Sequence, residues 1–118
     1  MSTSSPLVEL VDDHVLVVLA GEVDLLVRSD LLTSYDYAIS LLEVPHLLID
    51  VSRVTFMDST GCETLAAAWN EVNVRGGTIS VAGASERIVK LLRITDLDSL
   101  LAPRPDADRD TQVGVAVA

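Results

Sequence analysis

Residues 54–61 have the sequence Val54-Thr55-Phe56-Met57-Asp58-Ser59-Thr60-Gly61, and this octet decides how the rest of the chain is interpreted. A short apolar run, Leu47 to Val51, precedes it and has the composition of a β-strand. Residues 62–69 follow it and have the composition of a helix. The octet therefore predicts a junction between a strand and a helix that carries two adjacent hydroxyl groups.

The start of the predicted helix resembles a capping box. Thr60 can accept the amide of Glu63, and the Glu63 carboxylate can reach back to the amide of Thr60. With Thr60 as the cap, Ser59 would lie just outside the helix with a free hydroxyl near the positive end of the helix dipole. A phosphate there would leave the fold intact and repel a docked acidic partner. The alternative is that both hydroxyls are ordinary helix-start residues.

The rest of the chain predicts one α/β domain. The expected elements, in order, are a hairpin of strands at 7–11 and 15–20, an amphipathic helix from Val27 that ends at Pro45, a strand at 46–51, a helix at 61–75 that Gly76-Gly77 stops, a strand at 78–82, and a helix at 86–93 that Ser85 caps. This alternation favours a mostly parallel sheet with helices packed against it. The run at 46–51 lacks alternation, so we expect a central strand covered on both faces.

The composition changes after Ala102. Residues 103–110 are charged, contain two prolines and have no periodicity, so we expect a domain at 1–102 followed by a flexible tail at 103–118. The alternating valines of 111–118 are compatible with a short edge strand, but a frayed end is the more usual state of a terminus.

The bulk composition limits the class of protein. The chain has 118 residues, of which 49% are apolar and only 3% aromatic, so one core of aliphatic side chains is expected. Its apolar runs are too short to span a bilayer, and the N-terminus lacks the regions of a secretion signal. A single cysteine cannot form an internal disulfide. We therefore expect a cytoplasmic protein without membrane insertion.

The charge of the chain is strongly acidic. The formal net charge of −10 argues against nucleic acid as a partner, because phosphate contacts need clustered Lys and Arg. Residues 1–59 hold ten acidic residues and two basic ones. An acidic face from this half could steer a basic protein partner, or the charge could serve solubility alone.

Other reactive side chains predict no catalytic chemistry. Cys62 is expected to be a small, half-buried thiol, and His14 and His46 lack metal-ligand spacing with other donors. Arg87, Lys90 and Arg93 are expected to form a solvated basic stripe. No Ser-His-Asp arrangement and no nucleotide loop is detectable, so we predict no enzyme activity, metal or cofactor.

The octet resembles the signature of the STAS family, and specifically of its bacterial anti-anti-sigma factors, or anti-sigma factor antagonists. The resemblance covers about residues 7–101 and includes three further stretches: Gly21-Glu22-Val23-Asp24, Leu48-Ile49-Asp50-Val51-Ser52, and Gly76-Gly77 with the strand and Ala82-Gly83 that follow. It implies the STAS fold, a mixed, mostly parallel β-sheet with helices on one side. It also implies binding to an anti-sigma factor that is a serine kinase, phosphorylation on Ser59, and reset by a phosphatase.

The resemblance also implies which residues bind the partner. They are the acids Asp24 and Asp58 beside the acceptor Ser59, together with Gly21, Glu22, Thr60, Gly61, Cys62 and Glu63. The chain departs from the family pattern in three places: Cys62-Glu63-Thr64 replaces an apolar residue, a Gly and another apolar residue, Val27 stands where a capping Thr is common, and Asp96 stands where a Gly is common. Glu63 leaves open an alternative, a structural STAS subunit of a lipid-transport ATPase or of a stress-signalling scaffold, without phosphorylation.

Overall fold

The computed structural model describes residues 5–102, which form four strands and three helices in the predicted order. The strands are β1 (Leu7–Val11), β2 (His14–Val23), β3 (His46–Met57) and β4 (Thr78–Ala82), and the helices are α1 (Arg28–Ser40), α2 (Ser59–Val74) and α3 (Glu86–Ile94). Two 3-10 turns, Leu25–Val27 and Asp98–Leu100, were not predicted.

The four strands form one mixed sheet in the order β1-β2-β3-β4. β1 pairs antiparallel with β2 through the predicted hairpin, whereas β2, β3 and β4 are parallel. Parallel neighbours need a crossover between them, and α1 and α2 provide the two crossovers. The prediction of a mostly parallel sheet with packed helices is confirmed.

The core lies on one face of the sheet. Val15, Leu47 and Ile79 occupy one paired row of β2, β3 and β4, and all three are buried. The helices cover this row with buried side chains that include Leu31, Tyr35, Ala38, Ile39, Leu65, Ala68, Val72, Ile88 and Leu92. The intervening β3 residues Leu48 and Asp50 are only partly buried. The expectation that β3 is covered on both faces was therefore wrong, because the helices pack on one face.

β3 is twice as long as predicted. It pairs with β4 only as far as Asp50, but its pairing with β2 continues to Met57, with irregular register beyond Val18. The polar residues Ser52 and Arg53 interrupt the apolar pattern because they are exposed, and backbone pairing with β2 extends the strand regardless. The junction with α2 consequently lies at the tip of a two-stranded extension.

Gly76-Gly77 ends α2, as predicted, and each glycine has its own reason. Gly76 has a positive φ of 75°, and the Gly77 amide donates to Val72 O at 2.9 Å, which is the Schellman arrangement. A Cβ on Gly77 would lie 1.8 Å from Pro45 O, whereas a Cβ on Gly76 would meet nothing within 4 Å. The close approach ties the end of α2 to the start of β3, where the Thr78 amide also donates to Pro45 O at 2.9 Å.

The local signals at the other helices are mostly confirmed. Ser85 caps α3 by accepting the Ile88 amide at 3.3 Å. Val27 gives α1 no side-chain cap, since the preceding 3-10 turn already supplies one from Asp24. Asp96 adopts a left-handed φ of 65°, which explains why a glycine suits that position.

The predicted tail at 103–118, including the alternative edge strand at 111–118, lies outside the described residues. The last described residues, Leu101 and Ala102, run beside β4, where the Ala102 amide donates to Val81 O at 2.8 Å. Within residues 5–102, none of the helices combines the length and the apolar character that crossing a membrane requires.

We expect Gly77→Ala to destabilise the chain more than Gly76→Ala. The first places a methyl group against the Pro45 carbonyl and should cost about 3 kcal/mol, the upper end of the typical range for overpacking. The second has open space and should cost about 1 kcal/mol through its left-handed backbone. Urea unfolding of both variants measures the difference, and equal losses would contradict the close approach.

Candidate functional site

The junction between β3 and α2 is held by Asp58. Its backbone amide donates to Val23 O at 3.2 Å, which fastens the junction to the end of β2. Its carboxylate accepts the Thr60 amide at 2.9 Å, and its carbonyl accepts the Gly61 amide at 3.1 Å. With an extended backbone, Asp58 is the N-cap of α2.

The predicted capping box is therefore wrong. Thr60 lies inside the first turn of α2 and is 8% exposed, and the exposed Glu63 does not return to its amide. Asp58 takes the capping role because the bond to Val23 O fixes its backbone where the helix must begin. Sequence spacing alone does not contain that contact, and it placed the cap two residues too late.

Ser59 is the first residue of α2 rather than a residue outside it. Its side chain is exposed, as predicted, and it makes no side-chain hydrogen bond to another described residue. Asp58 already caps the helix, so the Ser59 hydroxyl has no structural task within the described part of the chain. It is a nucleophilic oxygen presented to solvent at the electropositive end of α2.

A second turn of the same kind lies beside the junction. Asp24 follows Val23, the residue whose carbonyl holds Asp58, and its carboxylate accepts the Leu26 amide at 3.0 Å. Its carbonyl also accepts the Val27 amide at 3.1 Å. Asp24 and Asp58 thus follow neighbouring strands and each begins a turn, so both carboxylates lie at the carboxyl edge of the sheet.

The structure brings most of the predicted binding residues to this edge. Glu22 pairs with Phe56 and is exposed, and Gly21 pairs with Val54 one step further down β2. Thr60, Gly61 and Cys62 are buried, so among the predicted binding residues of α2 only Ser59 and Glu63 are exposed to solvent. Gly61 is instead a packing residue, because a Cβ there would lie 2.6 Å from Met57 Cγ.

Sequence reasoning missed an apolar component of this edge. Leu25 and Leu26 in the 3-10 turn are 70% and 91% exposed, and Phe56 near the end of β3 is 49% exposed. The sequence contained one indication of this exposure. The apolar residues of the predicted helix recur every three or four positions from Val27, and Leu25 and Leu26 lie before that pattern begins. Leu25 and Leu26 fit neither the apolar run of the predicted strand nor the helical spacing of α1, so the sequence pattern places neither residue in the core.

A shallow recess adjoins Ser59 on its other side. It has a volume of about 260 Å³ and is lined by Ser59, Cys62, Glu63, Ala66, Thr95 and Leu97. Burial raises the pKa of the Cys62 thiol, the charges of Asp58 and Glu63 raise it further, and Thr95 opposes the shift. Cys62 is therefore a protonated packing residue, more deeply buried than predicted.

The remaining candidates stay apart from the edge. His46 contacts Thr78 Oγ1 at 2.9 Å, and His14 lies 3.6 Å from Asp13. Residues 5–102 contain no group of three or more His, Cys, Asp or Glu side chains placed to hold a metal ion. Arg87, Lys90 and Arg93 are exposed on α3, which confirms the solvated stripe.

We expect Asp58→Ala to lower the free energy of unfolding by about 1 kcal/mol, the usual loss when an N-cap is removed. Asp58→Asn should retain most of the stability, since its amide oxygen can accept the Thr60 amide. Asp36→Ala, at an exposed position within α1, is the control for a lost charge. Equal unfolding curves for Asp58→Ala and Asp36→Ala would show that Asp58 does not cap α2.

We expect the Cys62 thiol to resist alkylation in the folded chain. Iodoacetamide at pH 8 should modify it much more slowly in buffer than in concentrated urea, because burial both blocks access and raises the pKa. A raised folded pKa also means that stability from this thiol is complete below the ordinary thiol pKa and is lost as the pH rises above it. Rapid native alkylation, measured by mass spectrometry, would contradict the burial.

Comparison with known proteins agrees with this geometry. A family model described as "Mlab, STAS domain" matches residues 7–102. The anti-sigma-B factor antagonist of Listeria monocytogenes is 28% identical over 101 residues, which cover 86% of this chain and 88% of that protein.

Solved structures show the same fold. An anti-sigma factor antagonist from Mycobacterium paratuberculosis is 26% identical, with a TM-score of 0.72 over 92% of this chain and 91% of that one. The antagonist SpoIIAA in its unphosphorylated form has a TM-score of 0.74 at 20% identity, over 95% and 99% of the two chains. The phosphorylated form of SpoIIAA has a TM-score of 0.69 at 19% identity, over 92% and 98%. From the matched span and the shared architecture, the chain belongs to the STAS domain family.

Proposed function

We propose that this protein is an anti-sigma factor antagonist that binds an anti-sigma factor with serine kinase activity. Binding would occupy the carboxyl edge of the sheet and free a sigma factor, and phosphorylation of Ser59 would end it. A phosphatase would restore the binding form. The proposal assigns the chain no catalysis of its own and places its action in the cytoplasm, where sigma factors direct transcription.

The observation that carries the proposal is that Asp58 has the structural role at the helix start and the adjacent Ser59 has none. Asp58 caps α2 and ties it to β2, whereas the adjacent Ser59 hydroxyl is exposed and holds nothing in the described structure. A modification of Ser59 therefore breaks no described hydrogen bond. Such a group can be changed repeatedly without unfolding the domain, which a reversible switch requires.

The electrostatics of the edge explain how a phosphate would act. It would add about −1.5 to −2 charges at pH 7. The helix end tolerates this charge within the monomer, since it lies at the positive end of α2. Asp24, Asp58 and Glu63 are already close in the chain or the fold, so the added charge would turn this edge strongly negative. A partner packed over Ser59 would face both the bulk and the desolvation of the phosphate.

The names of the similar proteins support the same assignment. The Listeria relative is named an anti-sigma-B factor antagonist, and SpoIIAA has been solved in phosphorylated and unphosphorylated forms. The serine that would carry the phosphate here is proposed from the geometry of Ser59 and from its place in the octet.

Phosphorylation and binding assays test the proposal. The anti-sigma factor kinases of the host genome are purified one by one, and each is incubated with this protein and ATP. We expect one of them to modify wild-type protein on Ser59, to leave Ser59→Ala unmodified, and to bind Ser59→Ala but not Ser59→Asp. Both variants should unfold at wild-type urea concentrations, because Asp58 keeps the helix start intact. Unmodified Ser59 together with full binding of Ser59→Asp would overturn the proposal.

A second candidate is a structural STAS subunit of a lipid-transport ATPase or a stress-signalling scaffold, without phosphorylation. The observation that favours it is Glu63, which is exposed one helical turn after Ser59. Positions four apart are neighbours on a helix surface, so Glu63 would repel a phosphate on Ser59. Two results distinguish the candidates. Faster phosphorylation of Ser59 in the Glu63→Ala variant supports the switch. Recovery of an ATPase bound to the unmodified protein supports the structural subunit.

A further inference from the structure

Leu26 is the most exposed large apolar side chain in residues 5–102, at 91%, and its neighbour Leu25 is 70% exposed. Single exposed leucines are normal on protein surfaces. Two adjacent ones in a short turn at the edge of the sheet are less easily explained by chance, because neither contributes to the core. The fold therefore presents both side chains to solvent at a defined place.

The turn that carries them is held by hydrogen bonds. Asp24 accepts the Leu26 amide at 3.0 Å and the Val27 amide at 3.1 Å, and the Arg28 amide donates to Leu25 O. The backbone is thus fixed before any partner arrives. A turn whose backbone is already ordered loses less conformational freedom on binding, which favours its use as an anchor.

The turn is also continuous with the Ser59 surface. Val23 pairs with Met57, its carbonyl accepts the Asp58 amide at 3.2 Å, and the turn begins two residues later. Leu25 and Leu26 therefore flank the same edge from the β2 side, while Ser59 presents its hydroxyl from the β3 side. A protein that covers both sides of this edge would therefore contact Ser59 and the two leucines together.

Charge defines the chemistry of the occupant. The apolar turn follows Glu22 and Asp24 and adjoins Asp58 through the bond to Val23 O, in a chain of net charge −10. Arg28, the first residue of α1, is the base nearest to the turn in the sequence. The matching surface is an apolar pocket with Lys or Arg side chains opposite Glu22 and Asp24, away from Ser59, in which central apolar contact gives affinity and the charged rim gives orientation.

We infer that Leu25 and Leu26 form the apolar anchor of the partner interface, inserted into a basic-rimmed pocket of the anti-sigma factor. The inference rests on the proposed function and adds to it. The anchor supplies the affinity of the complex, and Ser59, at the opposite side of the same edge, controls whether the complex forms. Neither leucine contacts the reacting oxygen, so the anchor acts on binding rather than on phosphate transfer itself.

Binding measurements with matched variants test the anchor. The probe is the purified anti-sigma factor that binds wild-type protein among those of the host genome, and calorimetry gives the dissociation constant. Leu26→Ser should weaken binding about tenfold or more, the effect of a buried anchor residue, and Leu25→Ser with Leu26→Ser should weaken it further. Val74→Ser is the control, since Val74 is 85% exposed at the other end of α2 and should bind like wild type.

The outcomes separate the anchor from the switch. Leucine variants that bind as tightly as Val74→Ser, while Ser59→Asp does not bind, would overturn the anchor and leave the proposed function standing. Equal weakening by Leu26→Ser and Val74→Ser would also overturn it, because the effect would not be specific to the turn. Binding by no anti-sigma factor would overturn both proposals. All variants should keep the wild-type unfolding midpoint, since the exposed side chains contribute nothing to the core.

Discussion

The hydrogen bond from the Asp58 amide to Val23 O is the constraint on which the site depends. It joins the ends of two parallel strands at the point where the chain turns from β3 into α2. Because it fixes the Asp58 backbone, it also decides which residue caps the helix and therefore which side chain comes first within it. The exposure of Ser59 and the burial of Thr60 both follow from that choice. With the cap one residue later, Thr60 instead of Ser59 would be the first residue of the helix.

The edge built around this bond separates residues that hold the structure from residues that face solvent. Gly61 packs against Met57, and Thr64 donates its hydroxyl to Gly61 O at 2.9 Å, so the first turn of α2 is secured from inside. The side chains of Ser59 and Leu26 take no part in these stabilising contacts. The stability of the domain and the chemistry of its edge can therefore change independently.

The sequence predicted those features that local chemistry determines. The order of elements, the Ser85 cap and the glycine stop after α2 follow from short-range patterns, and the structure has all three. The cap of α2 was misplaced because three adjacent residues of the octet, Asp58, Ser59 and Thr60, can cap, and a contact with a distant strand selects among them. The length of β3 was underestimated for a similar reason, since pairing with β2 continues past the polar residues Ser52 and Arg53.

The exposure of the apolar residues at this edge was not predicted for a different reason. Leu25 and Leu26 are ordinary core residues by composition, and only the geometry of the 3-10 turn shows that they point away from the core. The same limit applies to Cys62, whose burial depends on Thr95 and Leu97 arriving from beyond α3. When the surroundings of a side chain come from remote segments, its burial cannot be predicted from the residues next to it in the sequence.

The two attachments of α2 have a consequence for how information could pass through this molecule. Its first turn is bound to Val23 through Asp58, and its last turn meets Pro45 through Gly77. These contacts hold both ends of α2 against the sheet, so a chemical change at Ser59 is not expected to move the end at Gly77. Under the proposed function, a phosphate on Ser59 would change the surface at that end of α2 and leave the Gly77 end as it is. A protein that distinguishes the two states of Ser59 would then contact the junction of β3 and α2 itself.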